Sequence, residues 1–426
     1  MTDQPKTIGI LAGGGPAPGI NGVIHAVTIR GINLGFQVKG FQQGFQTLIA
    51  GDPQAIDLTI DNVSRIPLRG GIVLKTSRAN PTRSPEGLDN SVRSLQQVGV
   101  THLVSVGGDD TAYSAYSVSK HARKLGYDLR SVHVPKTIDN DLPLPEGVPT
   151  FGFMTARQEG AKLVVNLMQD ALSTVRWYIV VAMGRKAGHL ALGIGKCAEA
   201  TLTLIPEEWQ GKPTRLQEVA DIIATSAIKR LAGGKGYGVA VIAEGVIELM
   251  DRGDLEFLDT VERDEHGHVR LAEINSAAII KHEVRNTLTE VGIKMTLVDK
   301  ELGYELRCAD PCAFDIDYTR TLGQEAVDFL AEGGTDAMIT LQNDMTRAVP
   351  IPYDDLMDAE SGRTGVRMVD LASLAYRSAR KFQIRLTTSD LQDGESLAAL
   401  AAQTTLTPKQ FVARFGYLVN MAPRPY

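Results

Sequence analysis

Cysteine is scarce in this chain: three residues of 426, Cys197, Cys308 and Cys312, with no CxxC pair among them. Together with eight scattered histidines, that count speaks against a disulfide framework and against a zinc site. Dense Lys/Arg runs are also missing, and the formal net charge is -6, which argues against a protein that grips a nucleic-acid backbone. The N-terminal MTDQPKTIGILAGGG has too short an apolar part, and too much glycine, for a signal peptide or membrane anchor. Two familiar phosphate-loop signatures are absent as well. No GxGxxG, the fingerprint a dinucleotide-dependent oxidoreductase needs, follows the first strand-like run, and no GK[ST] marks a P-loop. Neither an internal repeat nor a low-complexity tract is visible. These absences leave the expectation of a cytoplasmic protein that binds neither nucleic acid nor membrane.

What is present is ordinary in bulk and specific in pattern. Apolar residues make up 43% and charged residues 22%, as in soluble globular proteins, and the length suits two or three domains with buried cores. Short β-branched runs recur, each ending in Gly, Asp or Pro: TIGILAGGG (7–15), THLVSVGGDD (101–110), VHVPKTIDND (132–141), WYIVVAMGR (177–185), YGVAVIAEG (237–245) and DAMITLQND (336–344). Runs so continuously apolar predict strands buried on both faces. Segments of helical spacing lie between them, among them GINGVIHAVTIRGINLG, TAYSAYSVSKHARKLG, RQEGAKLVVNLMQDALS and RLQEVADIIATSAIKRL. Strand alternating with helix predicts βαβ units, mainly parallel sheets and ligand sites beyond the carboxyl ends of the strands. The Pro/Gly-rich DLPLPEGVPTFGF marks a seam between two α/β lobes. The reading is an N-terminal lobe over 1–152, completed by part of 306–355, a second lobe over 153–305, and a helical C-terminal appendage over 356–426.

The chemistry sits at the strand ends. In GGGPAPGIN (13–21), Gly14 and Gly15 are compatible both with a tight strand-to-helix turn and with a phosphate approached by bare backbone amides at a helix N-terminus. In GGDDT (107–111), Gly108 is followed by Asp109 and Asp110. A single carboxylate there reads as a helix cap, but two adjacent ones suit Mg²⁺, a hard cation held by one or two carboxylates plus substrate phosphate oxygens. PKTIDND (135–141) offers Lys136 as a point charge for phosphate, and Asp139 and Asp141 on one side of an extended segment, where a carboxylate can take a proton from a hydroxyl. Arg185 and Lys186 follow the strand WYIVVA and suit an anionic substrate. Arg176 precedes that strand, roughly 25 Å from its far end at about 3.3 Å per residue, so locally it reads as a solvated surface charge. Glu244 in VIAEG and Tyr304 and Arg307 in LGYELRCADP are individually weak signals, a helix cap and a surface ion pair being the ordinary roles.

Taken in order, GGxPAPGxN, GGDDT, PKTIDND, MGR and LGYxxR resemble the phosphofructokinase family, over roughly residues 7 to 345. The resemblance implies two Rossmann-like α/β lobes with the active site in the cleft between them, and Mg²⁺-dependent phosphoryl transfer to the 1-hydroxyl of fructose 6-phosphate. It implies Asp139 as the base on the sugar hydroxyl, Asp109 as the magnesium-linked carboxylate, and Thr137 and Asp141 in the same catalytic loop. Arg78, in GGIVLKTSR, matches the arginine on the transferring phosphoryl group. Met183, Gly184, Arg185, Glu244, Tyr304 and Arg307 match the sugar-phosphate contacts. Arg176 matches a residue supplied to the neighbouring subunit, which implies a homodimer or homotetramer.

The same resemblance bears on the donor. ATP-using members resemble GGDG and PGTIDND, whereas this chain has Asp110 and Lys136 at the two differing positions, and Pro16 where many ATP users have an acid. A carboxylate at 110 fills and charges the space of a nucleotide α-phosphate, and Lys136 supplies a positive charge for a compact donor. Some ATP enzymes of the family carry the lysine and keep the glycine, so Asp110 is the more decisive of the two. The expectation is the pyrophosphate-dependent type, with ATP as donor, or sedoheptulose 7-phosphate as acceptor, the alternatives. One departure concerns the acceptor: bacterial ATP enzymes place a sugar-phosphate arginine near Val298, where the neighbours here are Asp299 and Lys300, and the Lys300 ammonium is a poor copy of a bidentate guanidinium.

Overall fold

The computed structural model describes residues 6–250, 275–342, 345–356 and 365–420. Its strands, in chain order, are β1 (Thr7–Ala12), β2 (Gln37–Phe41), β3 (Ala55–Asp57), β4 (His102–Gly107), β5 (Arg130–Thr137) and β6 (Phe151–Gly152). There follow β7 (Trp177–Ala182), β8 (Leu202–Leu204), β9 (Gly238–Ala243), β10 (Leu297–Leu302), β11 (Ala337–Leu341) and β12 (Ala348–Pro352). The chain divides into two compact units, each made from two segments: Met1–Ala156 with Tyr304–Arg367, and Arg157–Gly303 with Met368–Tyr426. No described helix is long and apolar enough to cross a membrane.

In the first unit the sheet runs β12-β11-β5-β4-β1-β2-β3, with β6 paired to β5. The central pairs are parallel and the two outermost, β2–β3 and β11–β12, are antiparallel. β1 and β4 are buried along their whole length, as expected of mainly apolar strands covered on both faces, and the few polar residues in them, Thr7, His102 and Ser105, are buried too. The core on one side packs Leu11, Phe41, Leu48, Leu95, Leu103 and Val118 between the sheet and its crossover helices Pro85–Val98 and Asp109–Lys124. Each such buried side chain contributes about 1.5–3 kcal/mol. Register then positions the functional loops. Ala12 pairs with Val106, and Val106 with Val134, so Gly13, Gly107 and Lys136 leave neighbouring strands at the same edge.

In the second unit the sheet is β10-β7-β9-β8, with every pair parallel. Ala182 of β7 lies opposite both Ala243 of β9 and Leu302 of β10, which aligns Met183, Glu244 and Gly303 just past the strand ends. Helices Leu216–Ala232 and Ser276–Glu290 pack together here. From Met368 the C-terminal segment is built into this unit. Its helix Pro408–Phe415 sends Arg414 to the fully buried Asp221, with Nη2 donating at 2.9 Å, and Tyr417 Oη donates to the same carboxylate at 2.6 Å. Arg385 makes a buried two-pronged pair with Glu208 at 2.6 and 2.9 Å.

Candidate active site

In the first unit three strand-end loops meet around Lys136. The GGG loop after β1 is pinned from behind: Gly13 N donates to Val106 O and Gly14 N to Ser77 O, both at 2.9 Å, and Thr76 Oγ1 donates to Gly14 O at 2.8 Å. Gly14 has φ +77°, a left-handed backbone that favours glycine. Gly13 and Gly107 both press on Thr111, where an added Cβ would stand 2.4 and 2.5 Å from the threonine side chain. The threonine of GGDDT therefore locks the β1 and β4 loops together, a packing role that sequence reading missed.

Gly108 is the N-cap of the helix Asp109–Lys124, so Asp109 and Asp110 occupy its first turn, where the helix dipole favours acids. Asp109 is half-buried and Asp110 exposed. Lys136 is buried and its Nζ donates to Gly15 O at 2.6 Å, joining the β5 loop to the β1 loop. Burial lowers its pKa to about 8; Arg307 and Arg78 push the same way, and the carboxylates of Asp139 and Asp141 oppose them. Arg78, Asp139, Asp141 and Arg307 are thus all within electrostatic reach of one ammonium group. Arg307 Cζ lies 5.0 Å from the centre of the exposed Tyr304 ring, and an added Cβ on Gly15 would come 3.4 Å from it. The guanidinium thus borders the GGG loop.

The TIDND loop is itself tightly held. Asp139 N donates to Thr137 Oγ1 at 3.0 Å, Thr150 Oγ1 donates to Thr137 O at 2.7 Å, and Thr150 N donates to Asn140 Oδ1 at 2.9 Å. Asn140 has φ +57°, uncommon for a residue with a side chain. A residue that no sequence pattern singled out, Arg367, donates to this loop through all three of its side-chain nitrogens.

The second unit carries the remaining predicted residues. Gly184 has φ +132°, and its N donates to Oε2 of the buried Glu244 at 3.2 Å. Glu244 N donates to Ala182 O at 2.9 Å and Met183 N to Leu302 O at 2.8 Å, so three strand ends are tied together. Arg185 is exposed, and its Nε donates to Glu248 Oε1 at 3.1 Å. Burial, reinforced by Glu244 and Asp299 nearby, raises Glu301 to about 6. Lys300 is exposed within β10, and its neighbour Asp299 is paired with Lys281, a cation outside every motif. Arg176 immediately precedes β7, at the opposite end from Met183 and Arg185, with its Nε 3.8 Å from Asp170 Oδ2. Within the second unit it stands apart from Met183, Gly184, Arg185 and Glu244.

Comparison with known proteins adds a lineage. The family model described as phosphofructokinase matches residues 7–330. The chain is 49% identical, over 97% of its length and 96% of the other, to a Naegleria fowleri protein named pyrophosphate–fructose 6-phosphate 1-phosphotransferase. It is 48% identical to a Thermotoga maritima protein of the same name, covering 98% of this chain and 99% of that one. An ATP-dependent 6-phosphofructokinase of Thermoanaerobacter is 30% identical over 84% of this chain and 94% of its own. The solved pyrophosphate-dependent phosphofructokinase of Nitrosospira multiformis superposes with a TM-score of 0.68 at 18% identity, covering 94% of this chain and 92% of its own, which speaks to the fold alone.

Proposed function

Since this chain belongs to the phosphofructokinase family, we propose that it transfers a phosphoryl group from pyrophosphate to the 1-hydroxyl of fructose 6-phosphate, giving fructose 1,6-bisphosphate and phosphate, and that it runs in both directions. The observation that carries the donor assignment is the pairing of Asp110, at the mouth of the helix after β4, with Lys136, buried and bonded across the GGG loop. An acid at 110 repels and fills the place of a nucleotide α-phosphate; a lysine at 136 offers charge to a compact donor. The two relatives near half identity carry the corresponding name.

In this reading Asp139 accepts the proton of the attacking sugar hydroxyl, while Lys136 and Arg78 spread the charge that develops on the phosphoryl oxygens. Thr137 and Asp141 complete the loop, and Gly14, Gly15 and Gly108 present backbone to the donor. Met183, Gly184, Arg185, Glu244, Tyr304 and Arg307 hold the sugar phosphate. The donor set fits Mg²⁺: Asp109 presents hard carboxylate oxygens at a helix start, and among the described residues no group of three or more His, Cys, Asp or Glu forms a protein cage. A cation that keeps most of its waters and is shared with substrate phosphates suits such a site, and Mg²⁺ there supplies charge neutralisation of the phosphates.

Arg176 serves the neighbouring subunit in a homodimer or homotetramer. Its place at the opposite end of β7 from Met183 and Arg185 supports this, as does a row of apolar groups leading to it. Val165 (49% exposed) and Leu172 (46%) lie seven positions apart on the helix Phe153–Thr174, with Val175 (61%) following. The place of work is the cytoplasm, consistent with cysteines that are all unpaired. Phosphate release assayed in parallel with pyrophosphate and with ATP tests the donor. Turnover is expected with pyrophosphate, and robust ATP turnover without it would defeat the assignment.

A further inference from the structure

Beyond the matched family region, ending at residue 330, the segment leading to Met368 returns to the loop that carries the reacting carboxylates. Arg367 Nε donates to Asn140 O at 3.1 Å, Nη1 donates to Val148 O at 2.7 Å, and Nη2 donates to Asn140 Oδ1. Its own backbone N donates to Asp141 O at 2.8 Å. Four bonds from one residue thus fall on a loop of ten positions. Asn140, held left-handed between Asp139 and Asp141, is the point where three of the surrounding groups converge: Arg367 Nε, Arg367 Nη2 and Thr150 N. A non-glycine residue in that conformation is uncommon, and here the bonds around Asn140 hold it there. The direction of each flanking carboxylate follows from Asn140's backbone.

We infer that Arg367 is a positioning residue for the phosphoryl transfer: it fixes Asn140 and with it the aim of Asp139 and Asp141. The inference rests on the reaction proposed above, and adds to it a role for the C-terminal segment. An arginine is required by geometry. Its planar fork reaches two carbonyls and a side-chain amide oxygen in three fixed directions, which the single ammonium of lysine does not do. Burial lowers the Arg367 pKa below the ordinary arginine value, and Tyr318 and the Asp141 carboxylate oppose that shift.

The test uses the full-length protein with Arg367→Lys and Arg367→Ala. With pyrophosphate and fructose 6-phosphate, kcat of the lysine variant is expected to fall about ten- to a hundredfold, the effect of a small misplacement of reacting groups, with each KM within about threefold. Added guanidinium ion is expected to restore part of the kcat of Arg367→Ala. In the absence of substrate, amide hydrogen exchange is expected to quicken between Asp139 and Val148 in both variants while β1 and β4 keep their protection. Wild-type kcat in Arg367→Lys, or unchanged exchange in that loop, would overturn the inference. Exchange quickened throughout the first unit would overturn it as well, because it marks a general part in folding. Should Arg367→Ala not fold, the lysine variant decides by the same readouts. A wild-type protein inert toward pyrophosphate would sink the functional reading, yet the exchange measurement would still judge Arg367.

Discussion

Lys136 is buried, yet the proposed reaction needs it charged. Because its pKa is lowered to about 8, the protonated fraction falls as pH rises through that value rather than through the ordinary lysine range. The expected consequence is a kcat/KM for pyrophosphate, a property of the free enzyme, that declines above about pH 8. Bound pyrophosphate favours the ammonium, so the decline in kcat should begin at higher pH. Lys136→Arg, whose charge does not titrate in this range, should abolish the limb; a limb that persists would assign it to another group. Asp110 has the opposite character, exposed and acidic in the first turn of its helix. Asp110→Gly is expected to bring measurable ATP turnover, read as the ratio of kcat/KM values for the two donors, and an unchanged ratio would count against the exclusion argument. Asp139→Asn keeps the shape and loses the base, for an expected fall in kcat of about two to four orders of magnitude.

Among the elements, β4 and β5 carry a titration of their own. His133 of β5 is fully buried; its Nε2 lies 3.0 Å from Gly107 O and its Nδ1 2.8 Å from Ser105 Oγ. Burial lowers His133 to about 3, and burial with Arg130 and Lys6 lowers His102 of β4 to about 4. Both folded-state values lie below the unfolded one near 6.5, so the unfolded chain binds the protons. This contribution to stability is fully present above about pH 6.5 and is lost as pH falls toward 4 and then 3. Melting temperatures measured across that window should drop on the acid side, and His133→Asn should flatten the drop while lowering stability at neutral pH by about 1–3 kcal/mol. The strands also show what a sequence makes legible. Runs buried on both faces, such as WYIVVA and GVAVIA, announce themselves by their apolar, β-branched character and the Gly, Asp or Pro that ends them, and the six strands expected from such runs are present. The edge strands escaped because water or a single neighbour covers part of them: β10 reads LVDKEL, β3 is three residues long and β12 contains two prolines. Site loops at strand ends were legible as clusters of Gly and Asp. Arg367 was not, because its hydrogen bonds reach back more than two hundred residues and leave no local pattern.

For the whole molecule, the proposed site needs more than one chain. The backbone passes between the two units three times, at Ala156–Arg157, Gly303–Tyr304 and Arg367–Met368, so neither unit is a simple stretch of sequence. Arg176 stands at the opposite end of β7 from Met183 and Arg185 of its own unit, and the proposed reading gives it to a second copy. Mixing two inactive variants distinguishes the cases. If Arg176 serves the neighbour, Asp139→Asn and Arg176→Ala chains refolded together form mixed dimers in which one site has both its own Asp139 and the partner's intact arginine. Random pairing makes half the dimers mixed, each with one good site, so about a quarter of wild-type activity should return. If Arg176 acts within its own chain, every site in a mixed dimer lacks one residue or the other and no activity returns. Leu172→Glu supplies the physical counterpart. A charge placed in the apolar row of Val165, Leu172 and Val175 should shift sedimentation toward the monomer and lower activity in proportion to the dimer lost, with the melting temperature of the monomeric fold little changed. A fully active monomer in that experiment would leave Arg176 as an ordinary surface charge paired with Asp170.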